Sequence, residues 1–409
     1  MTTTESSAHT ASLDDLAHRS RAFFAGIGSV LDPIPDPELR ARTYQRELFA
    51  AGLTGIDVPV EYGGQGLDHM AKALVDRITR TDAPPESSTF AVGPGMAVPT
   101  ILELAAESLR QRYVRPALEG TEIWCQLYSE PGAGSDLAGL QTRATRTEDG
   151  WELNGQKVWT SHAHWADMGI CLARTNPDVP KHRGLTMFVV PMRAPGVTVR
   201  PITQITGDQE FNEVFFDGVR IPADHVVGEV DGGWPVAVAL MQNERSSIGA
   251  GGGRQAVGYL RLAELVRSRG ASADPAVRER LVDVFVGQRL AGAVDEYLAE
   301  SRDGGAPLGA VASLGKLWRS DNGRLASDLI GELAYRDGTA WDGGDDRDEW
   351  TYALLDACAL ALGGGSDDIQ RNALAEQVLG LPRDPFSVSN VPFRELRVGN
   401  TRSTPEEIR

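Results

Sequence analysis

The sequence predicts an α+β chain in three successive parts: an N-terminal α-helical domain over 1–121, a middle antiparallel β-domain over 122–232, and a C-terminal helical domain over 233–409. Two observations carry that expectation. Apolar residues recur at three- and four-residue spacing in the first and last parts. Between them lie short β-rich runs, each closed by Gly, Pro, Asn or Asp.

In order, helices are expected over 13–31 and 38–51, then a glycine-rich connection, Glu61-Tyr62-Gly63-Gly64-Gln65-Gly66, then a helix over 68–81. Two more follow Pro84-Pro85 and end near Gly120. An apolar, aromatic run at 124–128 opens the β-rich part. Further runs are 141–147, 151–159, 168–174, 185–191, 197–201 and 214–216. Glu148-Asp149-Gly150, Asn154-Gly155, Ala194-Pro195-Gly196 and Asp217-Gly218 are their turn signals. Asp231-Gly232-Gly233-Trp234-Pro235 starts the next helix, with proline near the first helical position. Helices continue to about 272, then over 274–301, 307–335 and 349–362. The last begins at Ser366 as N-cap, carries Asp367 and Asp368 in its first turn, and runs to 380. The tail after Pro382 reads as extended.

At 409 residues, 41% hydrophobic and 24% charged, the chain has the composition of a soluble globular protein with room for two or three domains. Its formal charge of −17 argues against nucleic acid or an anionic membrane as partner. A phosphate-bearing ligand is still allowed, because local cations and backbone donors suffice to hold one. The cysteines, Cys125, Cys171 and Cys358, are odd in number and far apart, so no zinc site, no other metal site and no disulfide framework is expected. The polar N-terminus lacks the basic and apolar regions of a signal peptide, and no apolar run reaches ~18 residues. A cytoplasmic protein without a membrane span is expected.

The chemistry concentrates between residues 124 and 161. In Glu130-Pro131-Gly132-Ala133-Gly134-Ser135-Asp136, two glycines let the backbone approach a ligand, and Ser135 adds a hydroxyl beside free N–H groups. The strand-like run to Trp159 ends in Thr160-Ser161. An aromatic face beside hydroxyl donors suits a flat heteroaromatic ring with polar edges, although a surface hairpin with a glycine turn has the same composition. Beyond residue 231, Ala237, Leu240, Met241, Glu244 and Ile248 share one helix face. A carboxylate on an apolar stripe is desolvated, which raises its pKa toward the working range of a base. The small-residue run 249–253 weakens that helix and fits the close passage of a ligand or another helix.

YSEPGAGSD (128–136) and GQKVWTS (155–161) resemble the acyl-CoA dehydrogenase family of flavoproteins. EYGGQGL (61–67), the segment 231–253 and GGGSDDIQRNALAEQVLGLPRD (363–384) extend the resemblance over nearly the whole chain. It implies a C-terminal four-helix bundle, bound FAD, a tetramer, and a role in fatty acid or steroid degradation. The implied reaction removes the α proton of an acyl-CoA as the β hydride moves to flavin N5, giving the 2,3-enoyl-CoA; an electron-transfer flavoprotein is the implied acceptor. An α C–H is a weak acid, so this chemistry needs a placed carboxylate and a stabilised enolate-like oxygen. By resemblance, Gln126, Tyr128 and Ser129 line the flavin, and Gly134 and Ser135 lie near its pyrophosphate. Trp159 lies against the isoalloxazine, Ser161 near its N5 edge, and Ser366 joins the cofactor set.

The sequence departs from the family in two places. Many members carry the base just before the last helix, in a Tyr-Glu-Gly-Thr pattern; the matching position here is Gly364, which cannot take a proton. Isovaleryl- and long-chain-type branches place it instead in a Glu-Arg pair early in the first long C-terminal helix. Here that pair is Glu244-Arg245. Glu244 is then the expected base, Arg245 orders it or the CoA portion, and the Gly364 backbone N–H polarises the thioester carbonyl in a widened acyl pocket. In homotetrameric members a neighbouring subunit grips FAD through Arg-x-x-Phe-Gly and Gln-x-x-Gly-Gly segments. Those regions read Ala299-Glu300-Ser301-Arg302-Asp303-Gly304-Gly305-Ala306-Pro307 and Asp328-Leu329-Ile330-Gly331-Glu332, so both grips are eroded. Such erosion resembles α2β2 steroid side-chain enzymes, in which unlike subunits share FAD sites. A homo- or heterotetramer is expected. The alternatives are a non-catalytic or half-site subunit, or an oxygen-using flavin oxidase or monooxygenase relative.

Overall fold

A computed structural model describes residues 3–247, 257–303, 309–334, 349–382 and 390–396. These fall into two compact units. The first carries five helices, the sheet, a sixth helix and segment 390–396; the second carries the remaining helices.

The first unit opens with α1 (Thr3–Leu31), α2 (Pro37–Ala50) and α3 (His69–Asp82), followed by α4 (Val98–Leu104) and α5 (Glu107–Glu119). Local chemistry sets their ends. The Asp36 carboxylate accepts from Leu39 N with Pro37 in the first turn, and Asp68 caps α3 by accepting from Ala71 N. α5 stops at Gly120, whose φ of +78° is left-handed.

The eight-stranded sheet comprises β1 (Trp124–Leu127), β2 (Arg143–Arg146), β3 (Gly150–Ser161), β4 (Met168–Arg174), β5 (Leu185–Pro191), β6 (Val197–Pro201), β7 (Phe211–Pro222) and β8 (Val226–Val227). Its order is β6-β7-β3-β2-β4-β5-β8, with β1 also on β4. The pairing is antiparallel except at the centre, where β1 runs parallel to β4 and β2 meets it at Arg143↔Arg174. Strands β4 and β5 match expectation to the residue. β2 is shorter than expected because Gln141 N and Thr142 N donate to the Glu130 carboxylate. β7 is longer because it pairs with β3 along most of its length. Asn154-Gly155 makes no turn: it lies inside β3 at a register shift, where a Cβ on Gly155 would fall 2.5 Å from Thr142 Oγ1.

Period-two alternation divides the sheet between two cores. Trp124, Tyr128, Met168, Ile170, Leu185, Met187 and Val189 face α4, α5 and α6 (Gly233–Ser247). Cys125, Leu127, Cys171, Phe188 and Val190 face the other way, with Leu153 and Val214. Central strands buried on both faces explain the unbroken buried runs at 168–174 and 185–190, apolar but for Arg174 and Thr186.

The second unit holds α7 (Tyr259–Ser268), α8 (Pro275–Asp303), α9 (Ser313–Ala334), α10 (Glu349–Leu360) and α11 (Asp367–Gln377) around Leu262, Leu265, Val284, Ala326, Leu329 and Ile330. Ser366 caps α11 as expected, accepting from Ile369 N. The glycine run 249–253 and Ile248 lie outside the described residues, as does part of the first eroded grip. The tail is not simply extended, since Phe393–Glu395 form a 3-10 turn. Among the described residues no helix is long and apolar enough to cross a membrane, and no group of three or more His, Cys, Asp or Glu is arranged to hold a metal.

Candidate functional site

A buried ion pair behind the glycine-rich turn organises the site. Lys157, on β3, is fully buried and spends its three protons on Glu130 Oε1 (2.9 Å), Tyr128 O (3.0 Å) and Leu172 O (2.8 Å). Glu130 in turn accepts from Gln141 N (2.6 Å) and Thr142 N (2.9 Å). Burial alone would raise the Glu130 carboxyl. The Lys157 ammonium and the donors from Thr142 and Gln141 outweigh it and hold the group below the usual carboxylate range. This pair pins both ends of the turn. Sequence reasoning quoted both residues inside its motifs but gave them no task. The available signal was a lysine among strand residues with no exposed position to occupy.

With Lys157 fixed, the next residues of β3 bulge. Register passes from Lys157↔Val214 to Thr160↔Asn212, so Val158 and Trp159 oppose one residue of β7. Trp159 takes φ +60° and leaves its indole 58% exposed, edge-on to Phe211 at 5.9 Å. A large aromatic in left-handed conformation and facing outward is strained and marks a place where a ligand can stack. Asn212 secures the bulge: its Nδ2 donates to Thr160 O and Glu210 O. Its Oδ1 is therefore the acceptor, and His164 donates to it from Nδ1 at 3.0 Å. Ser161, two residues beyond Trp159, is half-buried, and its hydroxyl has no partner among the described residues.

The turn itself stands open. Gly134, Ser135 and Asp136 are exposed, and a Cβ on Gly134 would meet nothing within 4 Å. Lys181 Nζ reaches both Asp136 oxygens, at 2.7 and 2.8 Å. The buried Arg174 guanidinium, pulled down to about 10 by burial, donates to Lys181 O and Ala138 O, each at 2.6 Å.

Helix α6 brings the candidate base to the end of β1. Val236, Ala237 and Leu240 are buried, Met241 packs on the same core, and Asn243 Nδ2 donates to Thr100 Oγ1 on α4 at 3.1 Å. The expected apolar face is thus present from Ala237 to Glu244. Glu244 is half-buried, and Gln126 Nε2, on β1, donates to its Oε2 at 3.3 Å. The Tyr128 hydroxyl is buried without a hydrogen-bond partner, and burial, with the Glu244 charge, pushes its phenol well above the ordinary value. Gln126, Tyr128 and Glu244 therefore lie together within the first unit, and Ser129, whose carbonyl accepts from Val158 N, leads from them into the turn. The Arg245 side chain lies outside the described residues.

Gly364 and Ser366 belong to the second unit. Gln370 Nε2 donates to Gly364 O at 2.9 Å, and the buried Asp367 carboxylate accepts from Lys316, Ser320 and Arg324. Gly364 has φ +64° and Gly365 +83°. That left-handed backbone alone selects glycine, so a widened pocket is not needed to account for the missing side chain.

Three family models match in succession: acyl-CoA dehydrogenase N-terminal domain over residues 34–121, middle domain over 125–219 and C-terminal domain over 231–379. The acyl-CoA dehydrogenase IpdE1 of Mycobacterium tuberculosis is 41% identical over 353 residues, covering 84% of this chain and 88% of that protein. The solved structure of the Tcur3481-Tcur3483 steroid ACAD superposes with a TM-score of 0.77 at 28% identity, covering 91% of this chain and 98% of that one. The ChsE4-ChsE5 complex from Mycobacterium tuberculosis shares the fold with a TM-score of 0.73 at 24% identity, over 91% of this chain and 98% of that one. The chain belongs to the acyl-CoA dehydrogenase family.

Proposed function

We propose that the chain carries out FAD-dependent α,β-dehydrogenation of an acyl-CoA to its 2,3-enoyl-CoA, with Glu244 taking the α proton. The observation that carries this is the Glu244 carboxylate, half-buried on the apolar face of α6 and bonded by Gln126 from the strand that feeds the glycine-rich turn. Membership of the family supports acyl-CoA as the substrate.

The residues present fit FAD. An outward indole at Trp159, the unpartnered buried hydroxyl of Tyr128 and an open turn at Gly134–Ser135 are what a stacked ring and a pyrophosphate call for. Gln126, Tyr128 and Ser129 would hold one edge of the ring, Trp159 its face and Ser161 its other polar edge. Gly134 and Ser135 would take the phosphates. When bound, FAD supplies the two-electron oxidation by accepting the β hydride. Glu244 accepts the α proton as that carbon becomes carbanion-like. Arg245 would order the CoA portion.

The steroid ACAD relative favours a bulky, ring-bearing acyl group, and its two-protein name favours a related partner subunit. Val282, Phe285, Val286 and Leu290 on α8 and Trp318 and Leu325 on α9 are apolar and exposed, as an assembly surface requires. A second reading, the base-bearing half of a heteromer sharing its FAD site, rests on the eroded grips. An electron-transfer flavoprotein is the proposed acceptor.

The test is an anaerobic visible spectrum of the purified protein, alone and with its co-expressed partner, titrated with acyl-CoAs. Bleaching of a stoichiometric flavin band is expected. Bleaching that oxygen alone reverses, with one oxygen consumed per thioester oxidised, would favour the oxidase relative instead. Gln126→Leu adds a finer check. Gln126 Nε2 donates to Glu244 Oε2, so its loss is expected to slow flavin bleaching about ten-fold in protein that still carries flavin. Unchanged bleaching would give Gln126 no part in placing the base.

A further inference from the structure

Segment 390–396 returns from the far end of the chain to the middle domain and docks on the loop over 175–183. Phe393 N donates to Val179 O (2.9 Å), Arg394 N to Pro177 O (3.0 Å), and Pro392 bridges to Pro180. Arg394 pairs with Asp178 at 2.7 Å. The Phe393 ring lies 3.7 Å from the Arg174 guanidinium carbon, a cation–π contact on a buried cation. Arg174 holds Ala138 O and Lys181 O, and Lys181 holds Asp136. The contacts form one line from Phe393 through Arg174 and Lys181 to the residue after Ser135.

We propose that this strap is a positioning element: Phe393 and Arg394 hold the 175–183 loop, and through Arg174 and Lys181 hold the Gly134–Ser135 turn in the shape that takes a diphosphate. This rests on the reading that FAD binds with its pyrophosphate at that turn. Phe393 and Arg394 need not touch the cofactor. Phe393 covers the open face of Arg174, which keeps the guanidinium on the carbonyls of Lys181, Ala138 and Leu140. Arg394 fixes the loop from which Lys181 reaches back.

The experiment compares the full chain, Phe393→Ala, Phe393→Tyr and a chain ending at 389, each in its assembled form. Two quantities are read: the FAD dissociation constant after flavin removal, and amide exchange over 132–141 with β5 as internal reference. A cation–π contact at a partly buried site corresponds to about a ten-fold change in equilibrium. Phe393→Ala should therefore weaken FAD binding and speed exchange over 132–141 by about that factor, with β5 unchanged. Phe393→Tyr should restore both, and the shortened chain should lose more. Unchanged exchange over 132–141 in the shortened chain would overturn the proposal, as would equal losses at 132–141 and β5. If the full chain takes up no FAD, the cofactor reading fails on its own. Exchange alone then decides the strap: faster exchange over 132–141 supports it, and no change overturns it.

Discussion

Glu244→Gln is expected to keep FAD and to lose turnover by about three orders of magnitude, the middle of the range for a positioned general base. The substitution conserves shape and the apolar packing of Ala237, Leu240 and Met241, and it leaves a polar group opposite Gln126. What disappears is the lone pair able to accept a proton. Single-turnover bleaching of the flavin, rather than steady-state rate, reads the effect, because it separates the chemical step from product release. Near-normal bleaching would remove Glu244 from the mechanism and leave the chain with no assigned base, since the position used by many relatives is Gly364.

The largest expected loss of stability comes from Lys157→Met. It leaves the Glu130 carboxylate buried without its cation, and takes the lysine donor from Tyr128 O and Leu172 O, at a cost of about 3–5 kcal/mol. Urea unfolding of the flavin-free protein measures it. Adding Glu130→Gln should recover part of the loss, because the uncompensated charge is then gone. The same pair predicts acid sensitivity. The folded carboxyl of Glu130 is depressed, so its contribution is complete above the unfolded value, near pH 4.3, and fades as pH falls through the folded one. Asp367, depressed by Lys316, Ser320 and Arg324 against its burial, acts with the same sign in the other unit. Lys157→Met should flatten the acid limb of the stability curve; an unchanged limb would mean that Glu130 is not ionised through the pair.

Much of the fold was legible because the patterns are strong. β4 and β5 are buried on both faces and read as largely apolar runs, and the Ser366 cap with its two following aspartates marks the start of α11. Boundaries failed where side chains replace ladder partners, as at residues 141 and 142, whose N–H groups bond Glu130. Asn154-Gly155 misled as a turn because the close approach of Thr142, not chain reversal, demands glycine there. The parallel β1/β4 contact has no local signature. The placement of Gln126, Tyr128 and Glu244 was readable as a list but not as a meeting, since 118 residues separate Gln126 from Glu244. The Phe393–Arg174 contact was invisible, and the Lys157–Glu130 pair showed only as a lysine among strand residues, because both depend on what the third dimension buries.

Wash-in of solvent deuterium at the α carbon of a bound acyl-CoA tests the central claim most directly. It reads proton removal at that atom, whatever follows at the β carbon. The account predicts rapid exchange with the FAD-loaded wild-type protein and none above background with flavin-loaded Glu244→Gln. Equal exchange in both proteins would contradict it and send the search for the base elsewhere in the chain or to a partner subunit.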